Sequence, residues 1–202
     1  MLVFLCSCKS ETTEEESTFA TEITTAPVEV STEAALPEPE EVQPSDIITV
    51  YFSHNDPVKA AAEYINELTK GEIYKIETLG VYPENEAELV KQAAEEHSKN
   101  VRPALKNAPL SLSGYDVVFL CFPEWDNTMP MALFTFVEDY DMRDKAVIPV
   151  IYGDRAALDN AVRDIHSLEP SMMIVNGYHF ASDFSEEKGK LDSWINTVLY
   201  GE

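Results

Sequence analysis

The strongest constraint on the fold of this chain is residues 47–58, where an apolar run gives way to a short polar loop and then to helical spacing. The apolar run has the length and composition of a buried β-strand. The segment therefore predicts the first half of a strand-helix-strand unit, whose corner in α/β folds usually contacts the ligand. The apolar side chains that recur at helical spacing after the loop are Val58, Ala61, Ala62, Ile65 and Leu68.

Strand patterns recur along the rest of the chain. Residues 72–77 alternate apolar and polar side chains, as expected of a strand nearer the edge of a sheet. Residues 116–122 and 145–151 are apolar without alternation, so both faces of these strands are predicted to be buried. A last strand is predicted near residues 172–175.

Helix patterns separate these strands. Asn85 is a predicted N-cap, with Glu88 three residues later as in a capping box, and Asp154 is a second predicted N-cap. Met129-Pro130 opens another helix, and the final helix ends before Gly201. Five strands alternating with five helices predict a doubly wound parallel sheet with helices on both faces. The apolar helix faces expected to be buried are Ala87, Val90 and Ala94; Leu133, Phe136, Val137 and Tyr140; Leu158, Val162 and Ile165; and Leu191, Trp194, Ile195 and Val198.

Charge and length limit the possible partners and the number of domains. The formal net charge is -23 at pH 7, and both the first 46 residues and the remainder are acidic. The sequence offers no basic stripe to nucleic acid, and anionic lipid headgroups would repel such a surface. Residues 47–202 are long enough to bury a full core, so a single domain is predicted there.

The first eight residues indicate a lipoprotein signal. They are apolar up to Cys8 but too few to span a bilayer. The stretch Leu5-Cys6-Ser7-Cys8 resembles a bacterial lipobox, although the positively charged start of such a signal is missing. We interpret residues 1–8 as a signal-peptide remnant and Cys8 as the lipidation site, which predicts a protein anchored by lipid alone on the extracytoplasmic face of the cell membrane. A chance apolar start is the alternative.

Residues 9–46 have the composition of a disordered acidic tether. They are rich in Glu, Thr, Ser, Pro and Ala, and Phe19 is their only aromatic residue. Such a segment cannot bury enough apolar area to become ordered, and its like charges repel one another. A disordered cytoplasmic tail would explain the acidity equally well but would leave Cys8 unexplained.

Several motifs in the folded part carry a resemblance to a known family. The motifs are Val50-Tyr-Phe-Ser53, Ala62-Glu-Tyr-Ile65, Arg102-Pro-Ala-Leu-Lys-Asn107, Ser113-Gly-Tyr-Asp-Val-Val-Phe-Leu120, Phe122-Pro123 with Trp125, and Thr128-Met-Pro-Met131. Through them the chain resembles a bacterial branch of the flavodoxin family over residues 47 to about 200. The resemblance implies strand order 2-1-3-4-5, FMN held by three loops at the carboxyl ends of strands one, three and four, and FMN-dependent electron transfer.

The first loop, which binds phosphate in this family, departs from the family pattern. The branch typically reads Ser-Arg-Thr-Gly-Asn-Thr, whereas this chain has Ser53, His54, Asn55, Asp56, Pro57 and Val58. Only the first hydroxyl is retained, and Pro57 removes a backbone donor. Asp56-Pro57 is also a favoured pair for an N-cap and first turn, so the Asp56 carboxylate can accept the amide hydrogens that a phosphate would take. We therefore predict that FMN binding is weak or absent.

The other two loops keep part of the family pattern. The second loop has one aromatic side chain where the branch often has Trp-Trp-Gly, and Trp125 is either a stacking platform for the isoalloxazine or a rim of the core. In the third loop Tyr152 and Gly153 are candidate ring contacts, and Asp154 is a helix cap or a ring contact. The second loop consists of Pro123, Glu124, Trp125, Asp126, Asn127 and Thr128.

No other constellation in the sequence predicts chemistry. Cys121 lies in an apolar strand and is interpreted as a buried structural thiol. His54, His97, His166 and His179 lack metal-ligand spacing, so neither a metal site nor a catalytic residue is predicted.

Two functional classes remain. One is an FMN-dependent electron carrier or reductase, supported by the resemblance, Ser53, Trp125 and the Tyr152-Gly153 pair. The other is a relative that binds FMN weakly or not at all and uses the cleft, or its acidic surface, for another small ligand or an envelope protein. We favour the second because of the phosphate loop, and for that class we expect no catalysis.

Overall fold

The computed structural model describes residues 43, 46–54, 56–106 and 111–201. The predicted signal-peptide remnant, all but two residues of the predicted tether, and Asn55 lie outside the described residues. No helix in the described part of the chain combines the length and the apolar character needed to cross a membrane.

The sheet has the predicted strand order. Its parallel strands run β2-β1-β3-β4-β5, and a sixth short strand, β6, also pairs with β4. Strand β2 lies at one edge, as its alternating pattern predicted, and it is mostly exposed. The strands are β1 (Ile47–Tyr51), β2 (Glu72–Lys75), β3 (Val117–Pro123), β4 (Ala146–Tyr152), β5 (Met173–Ile174) and β6 (Tyr178–Phe180).

Strand β6 was not predicted, and Pro149 in β4 explains why this edge of the sheet is split. Val175 N donates to Val147 O at 2.9 Å, and Gly153 N donates to Phe180 O at 2.8 Å. The odd-numbered residues of β4 therefore present their backbone groups to this edge. Pro149 is one of them and has no N–H to donate, so the ladder is interrupted between β5 and β6.

Five helices alternate with the strands as predicted. Asn85 Oδ1 accepts from Glu88 N at 3.1 Å, and Asp154 Oδ1 accepts from Ala157 N at 2.8 Å, so both predicted caps are confirmed. Gly201, at φ 71°, ends the last helix in the left-handed conformation that favours glycine. The helices are α1 (Asp56–Thr69), α2 (Glu86–Ser98), α3 (Met131–Asp139), α4 (Arg155–Leu168) and α5 (Phe184–Tyr200).

Apolar side chains bury both faces of the sheet. On one face, Val118 and Leu120 of β3 belong to a cluster with α3 and α4; on the other, Val117 and Phe119 belong to a cluster with α1 and α5. The alternation of side chains along β3 thus explains why the whole strand is apolar. The predicted arrangement of helices on both faces is confirmed.

Two predicted helix faces need correction. Leu68 at the end of α1 is 40% exposed, and Thr69 is buried in its place. In α2, Ala87 and Val90 are exposed, and Leu89 and Ala93 pack towards the core. Only part of α2 reaches the core. Which of its side chains are buried is therefore decided by the position of the helix relative to the sheet and not by the apolar spacing alone.

Candidate functional site

A cleft of about 950 Å³ opens at the carboxyl ends of β1, β3 and β4. This size is within the range of small-molecule sites, and the position is the one that doubly wound folds use for ligands. Its walls come from the loops after these strands, from the residues before α2 and from the first half of α2. The lining residues are His54, Glu84, Glu86, Leu89, Val90, Ala93, Pro123, Glu124, Trp125, Asp126, Asn127, Tyr152, Gly153 and Ala181.

The structure places most of the predicted site residues in or beside the cleft. His54, Tyr152, Gly153 and the second loop from Pro123 to Asn127 line the cleft. Ser53 lines a smaller neighbouring depression, and Asp154 caps α4 beside the cleft. Asn55 is outside the described residues.

Val58 and Thr128 do not face the cleft, which corrects their assignment. Val58 is 1% exposed and packs with α1, β1 and β3 in the core. Thr128 is also buried, and its Oγ1 donates to Asp164 Oδ2 of α4 at 2.5 Å. Their places in the loop motifs could not show where these side chains point.

The phosphate corner carries a carboxylate at the start of α1. The helix begins at Asp56, so Asp56 lies in the first turn and not at the predicted N-cap position. This side chain is exposed, and Pro57 follows it within the same turn. Its negative charge is favourable at a helix N-terminus, which is also where a bound phosphate would place its charge.

The second loop is a tight two-residue turn. Trp125 N donates to Thr128 O at 3.0 Å, and Thr128 N donates to Trp125 O at 3.1 Å. Asp126 and Asn127 between them have φ of 50° and 61°, as in a type I′ turn. Because Asp and Asn tolerate positive φ better than other side chains, the turn closes without the family's glycine.

Two side-chain contacts fix this turn to neighbouring helices. Asp126 Oδ2 lies 2.7 Å from Nδ1 of His97 near the end of α2. Asn160 Nδ2 of α4 donates to Asn127 O at 2.7 Å. The loop is therefore held by both α2 and α4.

Trp125 is both a rim of the core and a wall of the cleft. It is 9% exposed, and its ring meets Phe52 and Tyr82 edge to face, with centroids 5.3 and 4.7 Å away. Tyr82 Oη donates to Glu96 Oε2 at 3.0 Å, and burial together with the nearby carboxylate raises the pKa of Tyr82. Tyr82 therefore stays neutral, and Trp125 is the ring of this cluster that presents an apolar surface to the cleft.

The third loop is joined to the second by Glu124, a contact that the sequence did not reveal. Glu124 N donates to Tyr152 O at 2.8 Å, and Glu124 Oε2 accepts from Asp154 N at 3.0 Å. A Cβ on Gly153 would lie 2.5 Å from both Cβ and Oε2 of Glu124. Glycine is therefore required at position 153 by this close approach. The only signal in the sequence is that Glu124 directly follows β3 and Gly153 directly follows β4.

The described lining of the cleft is negatively charged. It contains four carboxylates and neither lysine nor arginine. Clefts with walls of low dielectric constant concentrate such a field, so the site disfavours anions and favours cations. The carboxylates belong to Glu84, Glu86, Glu124 and Asp126.

The remaining candidates are structural or isolated. Cys121 is fully buried, as predicted, and burial raises the pKa of its thiol. His166 and His179 are exposed on α4 and β6. Over the described ranges no three potential metal ligands come together.

Comparisons with known proteins agree with this fold. A family model described as Flavodoxin matches residues 46–198. The structure superposes on a protein from Bacteroides uniformis ATCC 8492 assigned as a flavoprotein, at 26% identity and a TM-score of 0.64, over 76% of this chain and 99% of the other. A flavoprotein from Lactobacillus acidophilus NCFM, solved with FMN, shares the fold at 16% identity and a TM-score of 0.58, over 73% of this chain and 99% of that one. No curated protein matches the sequence.

Proposed function

Because this chain belongs to the flavodoxin family, we propose that its cleft is a small-ligand site related to an FMN site, in which FMN itself binds weakly. The observation that carries the proposal is the charge of the site. Four carboxylates line the cleft, and Asp56 adds a fifth at the start of α1. The natural partner is then a different small ligand or an envelope protein, and the domain acts as a binding module.

The residues at the phosphate corner fit FMN poorly. Val58 offers no hydroxyl and is buried in the core, so one expected phosphate contact is missing, at roughly 1.5 to 3 kcal/mol for a hydrogen bond to a charged group. Repulsion from Asp56 adds about 1 to 4 kcal/mol per phosphate charge near the surface. For a phosphate with nearly two charges, the middle of these ranges is a loss of about 7 kcal/mol. Because about 1.4 kcal/mol is tenfold, a loss of this size takes a nanomolar affinity to about 100 µM.

The first prediction concerns FMN binding. The purified protein should be colourless, and titration followed by quenching of flavin fluorescence should give a Kd above about 100 µM. Asp56→Asn removes the charge and keeps the shape, so it should raise FMN affinity by at least about tenfold. Glu67→Gln removes one charge from the exposed side of the same helix, away from the cleft, and should change the affinity by less than about twofold.

Tight binding would reverse this conclusion. A yellow protein with a submicromolar Kd that Asp56→Asn leaves unchanged would show that the phosphate corner is not the obstacle. It would support the alternative function, an FMN-dependent electron carrier or reductase. The observation that favours this alternative is the preserved cleft with Trp125, Tyr152 and Gly153 in its wall.

We also propose that the protein is anchored through Cys8 to the extracytoplasmic face of the cell membrane. The support is the sequence Leu5-Cys6-Ser7-Cys8 and the acidic segment after it. Cys8→Ser should move the protein from the membrane fraction to the soluble fraction without changing the melting temperature of the domain, because lipid attachment and folding are independent. Cys6→Ser is the control and should remain in the membrane fraction. Release by Cys6→Ser alone would show that the lipobox is assigned to the wrong cysteine.

A further inference from the structure

Residues 124–127 and 152–154 form one end of the cleft, which we call the ring end. Glu124 determines which hydrogen-bond donors and acceptors a ligand meets there. The side chain of Glu124 crosses from the second loop to the third, where its Oε2 accepts from Asp154 N at 3.0 Å. Gly153 N is also engaged, because it donates to Phe180 O at 2.8 Å. The two third-loop amides that could meet an acceptor on a ligand are therefore both occupied.

The carboxylate replaces these donors with an acceptor. Among the residues that the structure describes, Oε1 of Glu124 has no hydrogen-bond partner, and Glu124 itself lines the cleft. An ionised carboxylate has lone pairs on both oxygens and donates nothing. A ligand that enters this end meets acceptors where free backbone amides would have offered donors.

Resting on the proposed function, we infer that Glu124 is the specificity-determining residue of the cleft and selects a ligand with a flat apolar body and a cationic, hydrogen-bond-donating group. Charge-assisted hydrogen bonds from such a group to Glu124 are short and strong. The flat body packs against the apolar wall formed by Pro123, Trp125 and Leu89. A neutral ring rich in carbonyl oxygens binds more weakly because it would have to displace Glu124 from Asp154 N.

Gly153 is part of the same arrangement. A Cβ at this position would lie 2.5 Å from the Glu124 Cβ, which belongs to the stem of the side chain and cannot swing away as its tip can. The absence of a side chain at 153 thus allows Glu124 to lie across the loop. The position of the Glu124 side chain therefore depends on glycine at 153 as well as on its own rotamer.

Two fluorescent probes of similar flat shape test the inference. Riboflavin is neutral, carries ring carbonyls and lacks phosphate, so its affinity does not depend on Asp56. Proflavine is a tricyclic cation with amino groups. We expect the wild-type protein, at about 0.15 M salt to screen nonspecific attraction, to bind proflavine at least about tenfold more tightly than riboflavin, with one site per chain.

Substitutions at Glu124 should invert this preference. Glu124→Ala frees Asp154 N and removes the charge, so riboflavin should gain about tenfold in affinity and proflavine should lose about tenfold. Glu124→Gln keeps an oxygen for Asp154 N, so it should weaken proflavine binding without improving riboflavin binding. Glu86→Gln removes another carboxylate from the lining, but no hydrogen bond links Glu86 to the third loop, so it should weaken proflavine binding by less than Glu124→Gln does. Glu67→Gln, on the exposed side of α1 and outside the cleft, is the control and should change either affinity by less than about twofold.

The outcomes separate this inference from the weak FMN binding proposed above. If Glu124→Ala and Glu124→Gln change the two affinities no more than Glu86→Gln does, Glu124 does not determine specificity, whatever the effect of Asp56→Asn on FMN. If Glu124→Ala lowers the melting temperature too far for titration, Glu124→Gln decides: loss of proflavine binding supports the inference, and unchanged binding overturns it.

Discussion

Replacing Phe119 by alanine should lower the free energy of unfolding by about 3 to 5 kcal/mol, the range expected when a buried aromatic ring is removed from a packed core. Phe119 is fully buried in β3, where it lies between Thr49 of β1 and Ile148 of β4. Its ring meets that of Trp194 in α5 edge to face, with centroids 6.3 Å apart. Because β3 has a strand on each side and helices on both faces, the surroundings cannot collapse into the cavity.

Urea denaturation followed by circular dichroism measures this loss. Leu79→Ala is the matched control, since Leu79 is 66% exposed and its truncation should change the free energy of unfolding by no more than about 0.5 kcal/mol. A cost below about 1.5 kcal/mol for Phe119→Ala would mean that the side chain is not enclosed as the structure has it.

The sheet could be predicted because its inner strands are buried on both faces and are therefore composed almost entirely of apolar residues. The apolar runs 116–122 and 145–151 each begin and end within one residue of the observed strands, Val117–Pro123 and Ala146–Tyr152. Asn85 was predictable as a cap because its hydrogen bond to Glu88 is local. Helix caps formed within a few residues, and strands buried on both faces, can therefore be predicted from the local sequence.

Features that depend on contacts between residues far apart in the chain were harder to predict from the sequence. Strand β6 is only three residues long and exists because β4 pairs with it beyond Pro149. The contact between Glu124 and Gly153 joins two loops about thirty residues apart, and neither residue alone indicates it. Val58 was assigned by its place in a loop motif, whereas the turn of α1 decides that its side chain enters the core. Motifs predict which loops form the cleft, but not which side chains face it.

Acidification should selectively weaken the junction between β6 and α5. Glu187, in the first turn of α5, has a side chain only 8% exposed. It accepts hydrogen bonds from Ser182 Oγ at 2.6 Å, Lys190 Nζ at 2.9 Å and Tyr178 Oη at 2.8 Å. These hydrogen bonds lower the pKa of Glu187 from 4.5 to about 2, and the bond from Ser182 makes the largest contribution.

Because the folded pKa of Glu187 lies below its unfolded value, the stabilisation is complete above about pH 4.5 and is lost as the pH falls to about 2. The loss should amount to roughly 2 to 3 kcal/mol. Glu187→Gln cannot titrate, so the wild-type advantage over this variant, measured by urea unfolding from about pH 7 to about pH 2.5, should shrink across that window. Tyr178→Phe removes one donor to Glu187 and should reduce the pH dependence in part. Tyr200 lies at the end of α5, far along the helix from Glu187, and is 50% exposed, so Tyr200→Phe should leave the pH dependence unchanged. A difference between wild type and Glu187→Gln that stays constant with pH would show that the carboxylate gains nothing from these three donors.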